Sequence, residues 1–219
     1  MPILRPIQVN PINEVNMPVL ASLLKDYKII LASASPRRSH LLAGLGVDFK
    51  VELNDNVSEE FDPSLDPLNV PLMLSVRKSH SFNRLLKDDE IIITADTLVI
   101  CEGEILEKPI DREDAFKMIR RLSGRSHIVS TGVTLRSKDK ETTFSAETTV
   151  WFKEIDDDEI NYYLDNYSPY DKAGSYGAQD WLGYTAIKRI EGSYFNVVGL
   201  PVQKLSDKLK EFIIALKQV

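Results

Sequence analysis

From Lys28 onward, apolar and polar positions fall into blocks that predict strands and helices in turn. Ile29-Ile30-Leu31-Ala32 is a short apolar run of the kind a buried strand shows. Leu41, Leu42 and Leu45 then share one helical face, behind Ser35 as N-cap and Pro36 as first helical residue, with Gly44 and Gly46 at the far end. A helix is predicted over 70–86. Ile91-Ile92-Ile93-Thr94 reads as a second buried strand that ends at Ala95-Asp96-Thr97. Leu98-Val99-Ile100 and Glu104-Ile105-Leu106 flank Glu102-Gly103, a hairpin signal.

Asp111 is placed to cap a helix whose inner face carries Ala115, Ile119 and Leu122, closed by Gly124. Two long strands, 127–136 and 142–153, flank the turn Lys138-Asp139-Lys140. Asp156 and Glu159 have capping-box spacing for a helix to Asn166. A polar, glycine-containing loop covers 169–183, followed by short strands near 185–190 and 194–198. A last helix from Pro201 buries Leu205, Leu209, Phe212, Ile213 and Leu216. Residues 1–27, with Pro2, Pro6, Pro11 and Pro18, lack periodicity and read as an extension of a single domain over 28–219. Interleaved strands and helices give an α/β or mixed α+β class.

Composition narrows the function. The 219 residues carry 27 Lys plus Arg and 33 Asp plus Glu, a net charge of -6. That balance argues against a nucleic-acid coat or a polybasic membrane binder. No apolar run reaches the length of a membrane span. No basic segment precedes a long apolar stretch at the start, so a signal peptide is not expected. Cys101 is the single cysteine, which excludes internal disulfides and cysteine-based zinc clusters and fits a cytoplasmic protein. The histidines, His40, His80 and His127, are scattered. Walker A, GxGxxG, HExxH and GxSxG motifs are all absent. What remains is chemistry by carboxylates and a metal.

The charges are unevenly placed. Lys28 to Val47 holds three bases and no acid, while 54–66 holds five acids and no base. Ala32-Ser33-Ala34-Ser35-Pro36-Arg37-Arg38 combines small residues, a helix N-terminus and two guanidinium forks, which suit phosphate oxygens. Asp96 after an apolar strand can hold a hard cation or take a proton from water. Glu59 can join it around Mg²⁺ or Mn²⁺. Lys78, Lys108 and Lys172 can neutralise phosphate charge. The loop Tyr170 to Gln179 can read a base by hydrogen bonds, with Trp181 nearby. Each of these residues, taken alone, reads first as an ordinary surface or turn residue. Gly192 to Pro201 is apolar and reads as structural, as do Trp151 and Trp181.

The blocks LASASPRR, ADT, LEKP, RLSGRSH, YDKAGSYGAQ and GSYFNVVGLP stand in order across 31–201. In this the chain resembles the Maf family of nucleoside triphosphate pyrophosphatases. The resemblance implies a two-lobed mixed α/β fold similar to inosine triphosphate pyrophosphatases, with the cleft between the lobes. It implies hydrolysis of a nucleoside triphosphate between the α and β phosphates, a divalent metal (Mg or Mn) and a homodimer. By motif, Asp96 corresponds to the proton acceptor, Glu59 to the further acidic residue, and Arg38, Lys78 and Lys108 to the phosphate-binding bases, beside Ser33 and Ser35. Arg37, Thr97 and Gln179 resemble the specificity set of the dTTP/UTP branch; the 7-methyl-GTP branch has Trp, Gln and Glu there. Two blocks depart from the pattern. Asn56-Val57-Ser58-Glu59 stands for Asp-Val-Asp-Glu, and Ala178-Gln179-Asp180 for Ile-Gln-Gly, so Asp180 belongs either to the base site or to the solvent. Two alternatives stay open beside this reading: a pyrophosphatase for non-standard purine triphosphates, and a non-catalytic nucleotide-binding regulator of cell division.

Overall fold

The computed structural model describes residues 19–53 and 57–218. One seven-stranded mixed sheet runs through the molecule. Its strands are β1 (Lys28–Leu31), β2 (Phe49–Val51), β3 (Glu90–Cys101), β4 (Glu104–Leu106), β5 (Ser126–Arg136), β6 (Glu141–Phe152) and β7 (Ile187–Glu191). The order is β2-β1-β3-β5-β6-β7, with β4 paired to β3. β1 is parallel to β2 and β3, and every other pairing is antiparallel. The helices are α1 (Val19–Leu24), α2 (Pro36–Ala43), α3 (Val70–His80), α4 (Arg112–Leu122), α5 (Asp157–Asn166), α6 (Trp181–Ala186), α7 (Tyr194–Val198) and α8 (Val202–Leu216).

Two apolar cores divide the molecule into lobes. One packs α1, α2 and α8 on Ile29, Leu31, Ile91, Ile93 and Val133. The other packs α4, α5 and α6 on Val99, Cys101, Val129, Val150 and Phe152. The long strands β3 and β5 belong to both, so the lobes share one sheet and the expected two-lobed form is present.

The site follows from a gap in that sheet. β1 pairs with β3 only as far as Leu31 opposite Ile93, and β4 takes up the same edge at Val99. The backbone of 94–98 is therefore open on that edge, between the lobes, and Ala95, Asp96 and Thr97 lie in the opening. Asp96 is thus inside a twelve-residue strand and not at its end, as the turn-like Ala-Asp-Thr suggested. Its position still marks a strand terminus, that of the neighbouring parallel β1, where α/β sheets gather ligands.

Other expectations shift for local reasons. Leu20 and Leu24 of α1 are buried in the first core, so this end of the 1–27 segment packs against the rest of the chain. Pro2, Pro6, Pro11 and Pro18, with Asn54, Asp55 and Asn56 of the acidic loop, lie outside the described residues. The helix predicted over 70–86 stops at His80. Beyond it Phe82 and Leu86 turn into a small cluster with Ile30 and Ile92, and Arg84 forks onto Glu52 and Glu90. Residues 194–198 form a helix and not a strand. The β-propensity of Tyr-Phe-Val-Val yields to Ser193, whose hydroxyl accepts from the Asn196 amide, and to Asn196, whose side chain donates to the Val129 and Ala146 carbonyls. The end of the 169–183 loop is helical as α6. The capping predictions for Ser35, Asp111 and Asp156 all appear as hydrogen bonds, the last as a full capping box.

Gly132 sets how closely α3 approaches the sheet. A Cβ built there would lie 2.3 Å from the Pro71 carbonyl oxygen and 2.4 Å from Leu72 Cα, both backbone atoms that cannot swing away. Gly132→Ala is expected to destabilise by about 2 kcal/mol through overpacking, lowering the melting temperature by about 4–8 °C. A calorimetric scan with an unchanged melting temperature would contradict this packing.

His127 is buried beneath the second lobe. Its Nε2 lies 2.7 Å from the Tyr176 hydroxyl, and burial pushes its pKa down to about 3. Between that value and the ordinary imidazole value of about 6.5, the unfolded chain binds a proton that the native chain refuses. Stability contributed by neutral His127 is therefore full above pH 6.5 and declines as pH falls toward 3. From pH 7 to pH 5 the loss is expected to be about 2 kcal/mol. Urea unfolding of the native chain and of His127→Gln checks it: the variant should show a flatter pH profile, and parallel profiles would refute the burial argument.

Candidate active site

The gap opens into a cleft of about 510 Å³ lined from both lobes, within the usual size of a small-molecule site. It gathers every residue that the sequence singled out for the site: Ser33, Ser35, Arg37, Arg38, Glu59, Lys78, Asp96, Thr97, Lys108 and Gln179. Alternation along β3 turns Asp96 toward α3 and Thr97 toward the opposite side, beside Arg38 and Gly199.

Arg38, partly buried in the first turn of α2, braces the gap. Its Nε donates to the Gly199 carbonyl at 3.0 Å, and Nη1 to the Ala95 carbonyl at 2.8 Å and to Ser33 Oγ at 3.4 Å. Nη2 donates to Thr97 Oγ1 at 3.1 Å. Desolvation lowers its pKa and the Asp96 charge works against that fall, yet a guanidinium stays charged throughout. Arg38 therefore presents its charge to the cleft while its donors hold two backbone carbonyls and two hydroxyls in place. Arg37 is the more exposed of the pair and crosses the cleft to Asp171 at 2.7 Å.

The acidic residues meet at one ammonium group. Lys78 on α3 donates to Asp96 Oδ1 and, at 2.7 Å, to Glu59 Oε1. Lys108 reaches the other Glu59 oxygen at 3.0 Å. Partial burial raises the Glu59 pKa, but the two lysines outweigh it and hold the carboxyl at about 2. Glu59 is thus ionised at neutral pH. Asp96 is only 6% exposed, and its carboxylate sits at the cleft floor. Two carboxylates converging on one cation suit a hard divalent ion such as Mg²⁺ or Mn²⁺, which commonly takes one or two carboxylates and completes its shell with phosphate oxygens and water. Among the described residues no group of three or more His, Cys, Asp or Glu side chains is placed to hold a metal ion.

Tyr176, Gly177 and Gln179 form a further wall of the cleft. Gln179 Oε1 is buried with no hydrogen-bond partner among the described residues, an acceptor that costs free energy until something donates to it. Asp180 neither lines the cleft nor faces solvent freely: it accepts from Tyr163 Oη at 3.1 Å and lies 3.6 Å from Lys172 Nζ.

The sequence reading under-rated two places. Gly192 to Pro201 was assigned to structure, yet Val197, Val198 and Gly199 line the cleft and Gly199 accepts from Arg38. The available signal was Gly199 itself, whose φ of 124° favours glycine. Asp171 was legible only as a member of the Tyr170 to Gln179 loop, because its partner Arg37 lies 134 residues away.

A mixed α/β sheet, split at one edge and lined there by paired carboxylates, lysines and arginines, defines a protein built to hold a small polyanion between two lobes. Residues 28–212 match the family described as Maf-like protein, and the chain belongs to that family. It is 48% identical over 189 residues to a dTTP/UTP pyrophosphatase of Parabacteroides distasonis, covering 86% of this chain and 98% of that protein. It is 49% identical over 191 residues to a dTTP/UTP pyrophosphatase of Porphyromonas gingivalis, covering 86% and 96%. Among solved structures, a HAM1 protein from Coxiella burnetii aligns over 84% of this chain and 99% of its own at 11% identity and a TM-score of 0.46, a likeness too distant to bear on function.

Proposed function

We propose that this protein hydrolyses dTTP and UTP to the monophosphate and pyrophosphate. The observation that carries the reading is the convergence of Asp96, Glu59, Lys78, Lys108, Arg37, Thr97 and Gln179 in one cleft. The relatives named for that activity support it at 48% and 49% identity.

In this mechanism the triphosphate enters along the Ser33–Arg38 segment. The N-terminus of α2 and Arg37 hold phosphate oxygens, and the Arg38 charge lies beneath them. Lys78 and Lys108 exchange part of their carboxylate pairing for phosphate oxygens. Asp96 takes a proton from a water as that water's oxygen bonds the α-phosphorus. The bond from the α-phosphorus to the bridging oxygen breaks, and pyrophosphate leaves with the electron pair. Charge stabilisation and positioning supply most of the rate. Mg²⁺ or Mn²⁺, held by Asp96 and Glu59, would neutralise developing phosphate charge when bound. Thr97 and Gln179 select the pyrimidine: the imide N–H at position 3 can satisfy the buried Gln179 Oε1, and cytosine or adenine, which lack such a ring N–H, leave it unpaired.

Hydrolysis of dTTP in ¹⁸O-enriched water tests the bond broken. Label in the monophosphate is expected; label in pyrophosphate alone would refute attack at the α-phosphorus. Activity should vanish with EDTA and return with Mg²⁺ or Mn²⁺. Among the described residues no helix is long and apolar enough to cross a membrane, and with Cys101 buried as a free thiol we place the protein's work in the cytoplasm. A homodimer completes the proposal, with the exposed Tyr184, Tyr194 and Phe195 as apolar surface for it.

A further inference from the structure

Gln179 is flanked by two residues that are tied to one buried phenol. The Gly177 amide donates to Tyr163 Oη at 3.2 Å, and the same hydroxyl donates to Asp180 Oδ2 at 3.1 Å. Tyr163 itself is fully buried on α5, within the second core, and stacked on Tyr167 with ring centroids 5.2 Å apart. The helix that carries it is fixed by the Asp156–Glu159 capping box.

Asp180 stands at the N-cap position of α6, yet its side chain makes no cap hydrogen bond. Asp111 and Asp156, at the same kind of position, both cap their helices. Asp180 instead turns back to Tyr163 and toward Lys172, whose ammonium also holds Asp171 at 2.8 Å. Asp171 in turn pairs with Arg37. Packing around the tie is tight. A Cβ on Gly177 would lie 2.4 Å from Asp180 Oδ2 and 3.1 Å from Gln179 Nε2. The Gln179 oxygen has no partner of its own among the described residues, so its aim depends on the backbone that carries it.

We infer that Tyr163 and Asp180 are positioning residues for base selection: together they pin residues 177 and 180 and so hold the Gln179 amide at the angle that accepts a pyrimidine. Neither touches the substrate. The inference rests on the pyrimidine reading above and names the parts that enforce it.

Binding calorimetry with the α,β-imido analogues of dUTP and dGTP tests it without turnover. The native chain is expected to prefer the dUTP analogue. Tyr163→Phe keeps the ring and removes both hydrogen bonds; it should weaken the dUTP analogue about tenfold, the scale of one lost hydrogen bond of about 1.4 kcal/mol, and leave the dGTP analogue within about twofold of native. On dTTP, KM should rise while kcat stays within about threefold, as for a loss of uniform binding. Asp180→Ala should act alike, and Asp180→Asn, which retains an acceptor for the phenol, should restore the preference. Asp180 is partly exposed, so its variants decide the matter if Tyr163→Phe does not fold. A selective native chain whose Tyr163→Phe and Asp180→Ala forms remain equally selective overturns this inference alone. Equal weakening of both analogues overturns it too, as a merely structural effect. A native chain that binds both analogues equally overturns the pyrimidine reading and this inference with it.

Discussion

Asp96→Asn is expected to give a folded protein that releases pyrophosphate about 10³-fold more slowly, the middle of the range for loss of a general base. The substitution keeps the size of the side chain and removes its capacity to take a proton. Lys78 retains Glu59 as a charged partner, and the β3 backbone keeps its pairing with β5 from Ile92 to Ile100. The melting temperature should therefore move little while kcat collapses. Because Asp96 is also one of the two carboxylates at the ammonium, the Mg²⁺ or Mn²⁺ concentration needed for half-maximal residual activity should rise as well. A well-folded Asp96→Asn protein with kcat within about tenfold of native would remove Asp96 from the chemistry.

Arg38→Met is expected to do the opposite to the balance between fold and rate. It should destabilise by about 3 kcal/mol, because the Ala95 and Gly199 carbonyls lose a charged donor in a partly buried place. That corresponds to a melting temperature lower by about 6–12 °C for a chain of this size. Activity should fall too, since the gap between β1 and β4 is held open in its working shape by this guanidinium. Methionine fills a similar volume, so the loss reports donors and charge and not a cavity. Arg38→Met with native stability would mean that the bracing contacts are inconsequential. Arg37→Met, whose side chain makes one exposed ion pair, should by contrast leave stability nearly unchanged and raise KM.

These expectations show which parts of the molecule could be read from the chain alone. Local devices were legible where a few neighbouring residues settle the outcome. Ser35-Pro36, Asp111 and the Asp156–Glu159 pair start helices by side-chain contacts spanning three residues, and all three stand as read. The apolar runs at Ile29–Leu31 and Ile91–Ile93 are buried strands, as their continuous hydrophobicity required.

The misreadings occur where tertiary partners override local preference. Tyr194 to Val198 is made of strand-forming residues, but the Asn196 amide has acceptors on β5 and β6 and a helical turn delivers it to them. Asp96 looked like the last residue of a strand because nothing local shows β5 pairing straight past it. The same holds for the site. Its members were legible as separate blocks, and the structure gathers them in one cleft. The tie from Arg37 through Asp171, Lys172 and Asp180 to Tyr163 was not, since it joins residues from four places in the chain. Nor does net charge reveal such a site. A chain of -6 overall holds a local set of bases, of which Arg37, Lys78 and Lys108 pair with carboxylates of the same cleft.

Hydrolysis of dTTP and UTP is tested most directly by incubating the purified protein, with Mg²⁺ or Mn²⁺, with a panel of normal and non-standard nucleoside triphosphates and measuring pyrophosphate and monophosphate. Release of both products from dTTP and UTP at kcat/KM at least about tenfold above that for purine triphosphates is the predicted result. Equal or faster turnover of inosine or xanthosine triphosphate, or no pyrophosphate from any member of the panel, would contradict it.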